Sequence, residues 1–251
     1  MITIPHVETN ITLACQNACI GCNHFIPMQK GERLSAEQVG RDLRDFGKVA
    51  HISRWAAIGG EPTLHPDIDA VLKAVRESGT VDIIEVWTNG ARLKAMTETF
   101  WQLADEIDLT LYPGKPVDLD FVQAKCAEHG KVLRVKNGRD DFTTLLYKRT
   151  ASDAEAAGIY KGCWYRTYCR VLDNGYFYRC CTSPFIPELI LGLAKEADGI
   201  KVKGLTEQAL SNYLNQPDTP ASCYRCAGHS GSHIGWREER DRDKWLAESM
   251  R

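Results

Sequence analysis

The first 136 residues alternate short apolar runs with segments whose apolar positions recur every three or four residues. The short runs are typical of strands, and the longer repeat is typical of amphipathic helices. The pattern predicts strands at 7–14, 54–59, 82–88, 107–112 and 131–136, with helices between them. Strands that alternate with helices indicate an α/β fold with a parallel sheet, which is either open or curled into a partial barrel.

Two of the predicted helices have clear start signals. Ser35 is expected to begin the first one, with Gln38 in the capping-box position, and Pro66 suits the first turn of the second. One further helix is expected to contain Met96, Phe100 and Leu103, and another is expected over 118–129.

Polar residues occupy one face of several predicted strands. Asp108, Thr110 and Tyr112 alternate with Ile107, Leu109 and Leu111, although a parallel strand covered by helices on both faces should be apolar throughout. The pattern predicts a lumen for a polar ligand, although edge strands with a wet face would also explain it. The residues expected to line this lumen are Glu85, Trp87, Thr110, Tyr112 and Lys136.

The alternation ends after residue 137. The stretch 171–180 is typical of a hairpin, with Asn174 and Gly175 in a two-residue turn. A short helix is expected over 205–216, and a highly charged helix is expected over 236–250. We therefore predict two domains, 1–145 and 146–251, of which the second is a small hairpin and helix domain.

Charge and hydropathy exclude several classes of protein. The 31 Lys+Arg residues against 33 Asp+Glu give a net charge of −2, which disfavours nucleic-acid binding driven by bulk positive charge. No apolar run approaches the roughly 18 residues of a membrane span, and the N-terminal residues do not resemble a signal peptide. We expect a soluble cytoplasmic protein with no membrane partner.

Ten cysteines are unusual for such a protein, because disulfides are rare in reducing compartments. Cys15, Cys19 and Cys22 form a CxxxCxxC directly after the first predicted strand. Three thiolates on one loop can bind three irons of a [4Fe–4S] cluster and leave the fourth iron open to a ligand. A zinc site would normally want four protein ligands.

This motif resembles the hallmark of the radical S-adenosylmethionine (SAM) superfamily. Gly59-Gly60-Glu61-Pro62 after the second strand resembles its GGEP motif, and Thr88-Asn89-Gly90 after the third resembles its TNG motif. The resemblance covers roughly residues 7–136 and implies a partial (β/α)6 barrel of the TIM type. It implies that the three cysteines bind the cluster, and that the cluster reduces bound SAM to methionine and a 5′-deoxyadenosyl radical that abstracts hydrogen from a substrate.

The resemblance also implies a binding site for SAM. Carbonyl groups around Gly59, Gly60, Glu61 and Pro62 would receive its ammonium group, and Asn89 would contact its ribose or methionine part. Arg134 would pair its carboxylate from the lumen or, equally, lie on the surface. The aromatic residue that usually precedes the third cysteine is replaced by Gly21, and Phe25 is the candidate to replace its adenine contact. His24 could face the substrate or be a structural imidazole.

The C-terminal cysteines resemble the auxiliary-cluster domains of this superfamily, called SPASM with two clusters and Twitch with one. Cys163, Gly175 and Cys180 fit the opening pattern, and Cys223 with Cys226 would complete one auxiliary [4Fe–4S] site. Cys169 could replace Cys163 as a ligand, because it lies opposite Cys180 in the predicted hairpin. Four cysteines also suit zinc. Cys181 is either buried or a catalytic hydrogen-atom donor, and Cys126 is a core residue.

In size and cysteine spacing the chain resembles the radical SAM dehydrogenases that oxidise 2-deoxy-scyllo-inosamine, an aminocyclitol. The resemblance implies hydrogen abstraction from a small polar substrate, with oxidation or epimerisation as the outcome. It also implies a monomer that takes electrons from a flavodoxin or ferredoxin. A maturase that modifies a peptide or protein is the alternative, and an iron–sulfur or zinc protein for binding or electron transfer is the alternative outside enzymes.

Overall fold

The computed structural model describes residues 1–138 and 142–251, and its secondary structure follows the predicted alternation. The strands in these ranges are β1 (Ile2–Thr12), β2 (Ala50–Gly59), β3 (Val81–Thr88), β4 (Glu106–Leu111), β5 (Val132–Asn137), β6 (Val171–Asp173), β7 (Tyr176–Tyr178) and β8 (Gly199–Lys201). The helices are α1 (Ala36–Phe46), α2 (Ile68–Glu77), α3 (Glu98–Leu103), α4 (Leu119–Glu128), α5 (Asp153–Gly162), α6 (Tyr165–Tyr168), α7 (Ile186–Leu191), α8 (Glu207–Asn215) and α9 (Arg242–Glu248).

These strands form one mixed sheet in the order β5-β4-β3-β2-β1-β6-β7-β8. Strands β1 to β5 pair in parallel, and β6 joins the free edge of β1 in parallel at Glu8 and Val171. Strands β7 and β8 continue the sheet in antiparallel fashion. The α/β barrel prediction is confirmed. Strands from both sides of the predicted domain boundary at residue 145 belong to this one sheet. The division into two domains stays a prediction.

Local signals explain where elements begin and turn. The Ser35 hydroxyl accepts the backbone N–H of Gln38 at 3.1 Å, whereas the Gln38 side chain bonds to Asp42 and leaves the predicted capping box incomplete. Asn174 and Gly175 have φ angles of 47° and 84°, as a type I′ hairpin turn requires. The turn between β6 and β7 is therefore confirmed.

The predicted helix over 236–250 is wrong in its first part, because only Arg242–Glu248 is helical there. Residues before it run as extended chain beside the cysteine loop, where the carbonyl of Arg237 accepts the N–H of Ile20 at 2.9 Å. Pairing with that loop competes with helix formation. In the described ranges, no helix is both long and apolar enough to cross a membrane.

Two apolar clusters support the site. The larger packs the helices against the sheet around Val7, Trp55 and Phe100. The smaller joins Leu13 and Ile20, from either end of the cysteine loop, to Trp245 of α9. The loop therefore rests on a core that contains the C-terminal segment.

Candidate radical SAM site

The three cysteines of the CxxxCxxC motif lie at the carboxyl end of β1 and line one cavity. Cys19 is buried, while Cys15 and Cys22 are half-buried. The cavity brings together the three motifs that the sequence analysis singled out. Its other described lining residues are Asn17, Asn23, His24, Ile26, Ile58, Gly59, Gly60, Glu61, Trp87, Thr88, Asn89, Thr110, Tyr112 and Phe142.

The parallel sheet explains this convergence, because the carboxyl ends of β1, β2 and β3 meet at one edge. The N–H of Gly60 donates to the carbonyl of Thr12 at 2.7 Å, and the N–H of Glu61 donates to that of Ala14 at 2.8 Å. A Cβ atom on Gly60 would lie 2.1 Å from the Ala14 carbonyl oxygen. Glycine is therefore required for the end of β2 to approach the cysteine loop.

The buried carboxylate of Glu61 connects two motifs. It accepts hydrogen bonds from the hydroxyl groups of Thr63 and Thr88, at 2.6 and 2.5 Å, and from the N–H of Asn89 at 2.7 Å. Burial raises the pKa of Glu61, and these bonds oppose that shift by stabilising the charged form. The Asn89 side chain in turn accepts from Gln16 at 2.6 Å.

Each of the three sulfur atoms accepts hydrogen bonds from the protein. Asn17 N–H donates to Cys15 at 3.4 Å and Trp236 Nε1–H donates to Cys19 at 3.1 Å, while backbone N–H groups after Cys22 point to its sulfur. Burial raises the pKa of Cys15 to about 12 and also raises the pKa values of the other two thiols. Thiolates in such a setting need the positive charge of a metal, and the N–H donors stabilise them once it is bound.

The spacing of the sulfur atoms does not suit a single ion. A tetrahedral zinc site, with Zn–S bonds of about 2.3 Å, places its sulfur atoms about 3.8 Å apart. Within the described residues, which include every cysteine, no three sulfur atoms lie within 4.8 Å of one another. An iron–sulfur cube separates its ligands more widely, because each sulfur binds a different iron.

Two buried polar atoms in the cavity wall, Asn17 Oδ1 and His24 Nε2, have no hydrogen-bond partner among the described residues. A buried polar atom without a partner is costly, and such atoms often face a ligand. Burial lowers the pKa of His24 to about 4, so its imidazole is neutral at physiological pH. The wall also contains aromatic rings, with the Tyr112 ring 6.1 Å from that of Phe142.

Gly21 cannot carry the usual aromatic side chain. Its φ angle is +75°, and a Cβ atom there would lie 2.4 Å from the carbonyl oxygen of Thr143. Phe25, the candidate replacement, is fully buried between Phe185 and Trp245 and does not line the cavity. Its placement is that of a core residue.

The polar face of the sheet is partly occupied by ion pairs. Arg134 pairs with Glu106 and Asp108, and it does not line the cavity beside the cysteines. Arg54 pairs with Glu85 and with Glu106. Of the residues expected to line the lumen, Trp87, Thr110 and Tyr112 reach the cavity, whereas Glu85 and Lys136 engage charged neighbours instead.

The C-terminal segment contributes contacts that the sequence did not reveal. Beyond Trp236, the ring N–H of Trp245 donates to the carbonyl of Cys19 at 2.7 Å. The backbone N–H of Ala18 donates a hydrogen bond to the Glu238 carboxylate at 3.0 Å. The backbone N–H of Gly21 donates one to the Ser249 hydroxyl at 3.2 Å. No motif marks these residues, since their partners lie more than 200 positions away along the chain.

A second cavity is lined by four cysteines, Cys163, Cys180, Cys223 and Cys226. Cys169 does not line it. The Cys169 thiol lies instead against the thiol of Cys181 and the carboxyl group of Glu8. This arrangement favours Cys163 over Cys169 as the fourth member of the set.

The four-cysteine cavity has its own hydrogen-bond donors. Gly228 N–H donates to Cys226 at 3.2 Å, and the Thr182 hydroxyl lies 3.4 Å from the sulfur of Cys180. Asp198 holds the turn that precedes Cys223, because its carboxylate accepts the N–H groups of Ala221 and Ser222 at 2.7 and 2.9 Å. As in the first cavity, burial raises thiol pKa values: it raises the pKa of Cys226 to about 12 and also raises the pKa of Cys223.

Cys181 is fully buried between the two cavities. Its sulfur accepts a hydrogen bond from the Asn23 amide at 3.5 Å and also lies against the thiol groups of Cys169 and Cys180. Asn23 follows Cys22 directly and lines the first cavity.

Comparison with known proteins agrees with this geometry. The crystal structure of BtrN in complex with AdoMet and 2-DOIA superposes with a TM-score of 0.55, covering 95% of this chain and 97% of that chain at 13% identity. A structure of anSMEcpe with bound AdoMet superposes with a TM-score of 0.52, covering 88% and 81% at 10% identity. Both neighbours are radical SAM enzymes. The chain has the radical SAM fold.

Sequence comparison points in the same direction over a shorter length. A GTP 3′,8-cyclase of Klebsiella pneumoniae is 33% identical over 92 residues, covering 35% of this chain and 28% of that protein. A GTP 3′,8-cyclase of Limosilactobacillus fermentum is 22% identical over 148 residues, covering 57% and 43%. The chain thus spans less than half the length of these relatives, and no known family profile matches it.

Proposed function

We propose that this protein is a radical SAM enzyme that holds a [4Fe–4S] cluster on Cys15, Cys19 and Cys22, binds SAM and cleaves it reductively. The observation that carries this proposal is the convergence of the cysteine loop, the end of β2 and Asn89 on one cavity within a radical SAM fold. When bound, the reduced cluster supplies the electron that cleaves the sulfonium and starts hydrogen abstraction from a substrate.

The end of β2 is proposed to bind the methionine part of SAM. An ammonium group has three donors and no acceptor, so it needs oxygen atoms around it. Carbonyl groups at Gly59, Gly60 and Glu61 offer them at the cavity wall, and the unpartnered Asn17 Oδ1 is a further acceptor. Asn89 is proposed to contact the ribose or methionine part from the end of β3.

The adenine is proposed to pack on Tyr112 and Phe142, and not on an aromatic residue beside the third cysteine. The backbone at Gly21 leaves no room for a side chain, and Phe25 is enclosed by the core. Tyr112 and Phe142 are aromatic rings of the cavity wall. A flat aromatic base has a favourable partner in such rings.

Cys163, Cys180, Cys223 and Cys226 are proposed to hold one auxiliary [4Fe–4S] cluster. Four thiols lining one small cavity match the four corners of a cube, and their spacing exceeds that of a zinc site. With all four corners ligated by protein, such a cluster suits electron transfer and leaves no position for SAM.

The substrate is proposed to be a small polar molecule, such as a carbohydrate or aminocyclitol, since Asn23, His24 and Thr110 give the cavity polar walls. Oxidation requires the substrate radical to lose a further electron and a proton, whereas epimerisation requires a thiol to return a hydrogen atom. Cys181 is the proposed thiol for the second case. Solvent deuterium in the recovered substrate would support epimerisation, and an oxidised product without deuterium would support oxidation.

Anaerobic reconstitution tests the proposal. We expect about eight irons and eight sulfides per chain, and release of 5′-deoxyadenosine from SAM after reduction with dithionite. Cys126→Ala is the matched control, because Cys126 is a buried residue of α4 that lines neither cavity, and its loss should leave the iron count unchanged. Protein that stays free of iron after reconstitution would contradict the proposal.

A further inference from the structure

A third cavity, of about 540 Å³, lies on the far side of Tyr160 from the four cysteines. It is bounded by α5, by the segment between α5 and β6, by the end of β7 and by the chain that follows α8. Four of its lining side chains are cationic. They are Lys161, Arg166, Arg170 and Arg179.

None of these four cations has a carboxylate partner within 4.0 Å in the described part of the chain, whereas six of the other described arginines do. No aspartate or glutamate lines the cavity either. Positive charges held together repel one another, so an anion that bound among them would relieve this repulsion.

Arg179 is the most informative member of the group, because only 5% of its surface is exposed. Its terminal nitrogens donate to the Tyr160 hydroxyl at 2.7 Å and to the carbonyl groups of Gln216 and Asp218 at 3.3 Å. Its Nε atom has no partner among the described residues. The guanidinium is thus held in place with one donor unused.

Arg170 and Arg166 surround the same space. The Nε atom of Arg170 is also buried without a partner, and burial lowers the pKa of this side chain. Arg166 and Arg179 both lie over the Tyr160 ring, with guanidinium carbons 4.8 and 5.1 Å from its centroid. Tyr160 therefore positions two cations with the same ring.

We infer that this cavity binds a phosphate-class oxyanion, either free phosphate or the phosphate group of a small molecule. A tetrahedral oxyanion accepts several hydrogen bonds at once, which suits a cavity lined by three guanidinium groups and one ammonium group. Tyr160 and Arg166 also line the four-cysteine cavity, so the anion would lie beside that site. The inference does not depend on SAM cleavage.

Binding is tested on anaerobically reconstituted protein by calorimetry, at constant ionic strength maintained with chloride. Inorganic phosphate and glucose 6-phosphate are the two probes, and saturable binding of either supports the inference. Tighter binding of phosphate indicates the free anion, and tighter binding of the ester indicates a phosphorylated molecule. If chloride competes as well as phosphate does, the inference is overturned.

Substitutions locate the site. Arg170→Gln should weaken binding of the better probe about tenfold, as expected for loss of one charged hydrogen-bonding group. Lys161→Gln removes an exposed member of the group and should weaken binding without affecting the fold. Arg92→Gln, an exposed arginine outside the cavity, is the control. Equal affinities for Arg170→Gln and Arg92→Gln would overturn the inference.

Discussion

The two cysteine sites of this protein are built in opposite ways. Cys15, Cys19 and Cys22 come from one loop of eight residues, and their cavity is shared with polar and aromatic side chains. Cys163, Cys180, Cys223 and Cys226 come from three segments spread over more than 60 residues, and they surround a smaller cavity. The difference teaches that three cysteine ligands would leave one iron of a bound cluster free for another molecule, whereas four would occupy every iron.

Removing one cysteine from each site gives the sharpest test of this comparison. Cys19→Ala should abolish 5′-deoxyadenosine formation, because the cluster that binds SAM loses a ligand. Cys223→Ala should lose about four irons, yet it should still release 5′-deoxyadenosine while substrate turnover stops. Iron analysis and chromatography of the nucleoside measure both effects. Equal loss of 5′-deoxyadenosine in the two variants would contradict the division of roles.

The site of Cys15, Cys19 and Cys22 also depends on the close approach of two backbone segments, at Gly60 and Ala14. Gly60→Ala should lower the free energy of unfolding by about 3 kcal/mol, because its Cβ atom would overlap the Ala14 carbonyl. Gly158→Ala is the control. This glycine is exposed in α5 with nothing within 4 Å of its Cβ position, so the change should stabilise by about 0.5–1 kcal/mol. Urea denaturation measures both, and effects of the same sign would refute the argument.

Glu8 lies beside the Cys169 thiol, and burial raises the pKa of this carboxyl group to about 7. The folded state therefore keeps this carboxyl group protonated where the unfolded chain has lost the proton. Its contribution to stability is complete below pH 4.5 and is lost as the pH rises through about 7.

Between pH 5 and 6.5 this titration should lower the free energy of unfolding of the wild type by about 2 kcal/mol, and Glu8→Gln should remove that decrease. Neighbouring His6 also has a raised pKa, so it titrates with the same sign, but above 6.5. Urea denaturation at several pH values provides the measurement. Glu77→Gln, at an exposed carboxylate, should retain the wild-type slope, and a retained slope in Glu8→Gln would show that the shift does not act on stability.

The smallest effect concerns the ring proposed to bind adenine. Tyr112→Leu should raise the KM for SAM about three- to tenfold, since an aromatic contact contributes about 0.5–1.5 kcal/mol. Tyr168→Leu, at a tyrosine 60% exposed outside the cavity, should leave KM unchanged. An unchanged KM in Tyr112→Leu would remove this residue from the proposed site.

The sequence was informative where chemistry depends on neighbours along the chain. The CxxxCxxC loop, the paired glycines 59 and 60, and the turn at Asn174 and Gly175 each place special residues at fixed short spacing, and each lies where the pattern predicted. The strand alternation gave the parallel sheet for the same reason, because its period is local.

The sequence was less informative where contacts join distant segments. The choice between Cys163 and Cys169 depends on how α5 packs against the hairpin, and spacing alone left both open. Arg134 lies opposite Asp108 in the sheet register and pairs with Asp108 and Glu106, outside the cavity beside the cysteines, which its position in the sequence did not reveal. The residues around Trp236 were predicted as helix, because pairing with a loop near the other end of the chain has no local pattern.

The contacts of Trp236, Trp245 and Ser249 with the cysteine loop have a consequence for biosynthesis. Cys19 leaves the ribosome about 230 residues before Ser249 does, which at typical translation rates is roughly 10 to 50 s. During that interval the three thiols are already present while their final donors are still missing. Metal delivered to the nascent chain would meet an unfinished loop, so stable cluster assembly is expected only after Ser249 has left the ribosome.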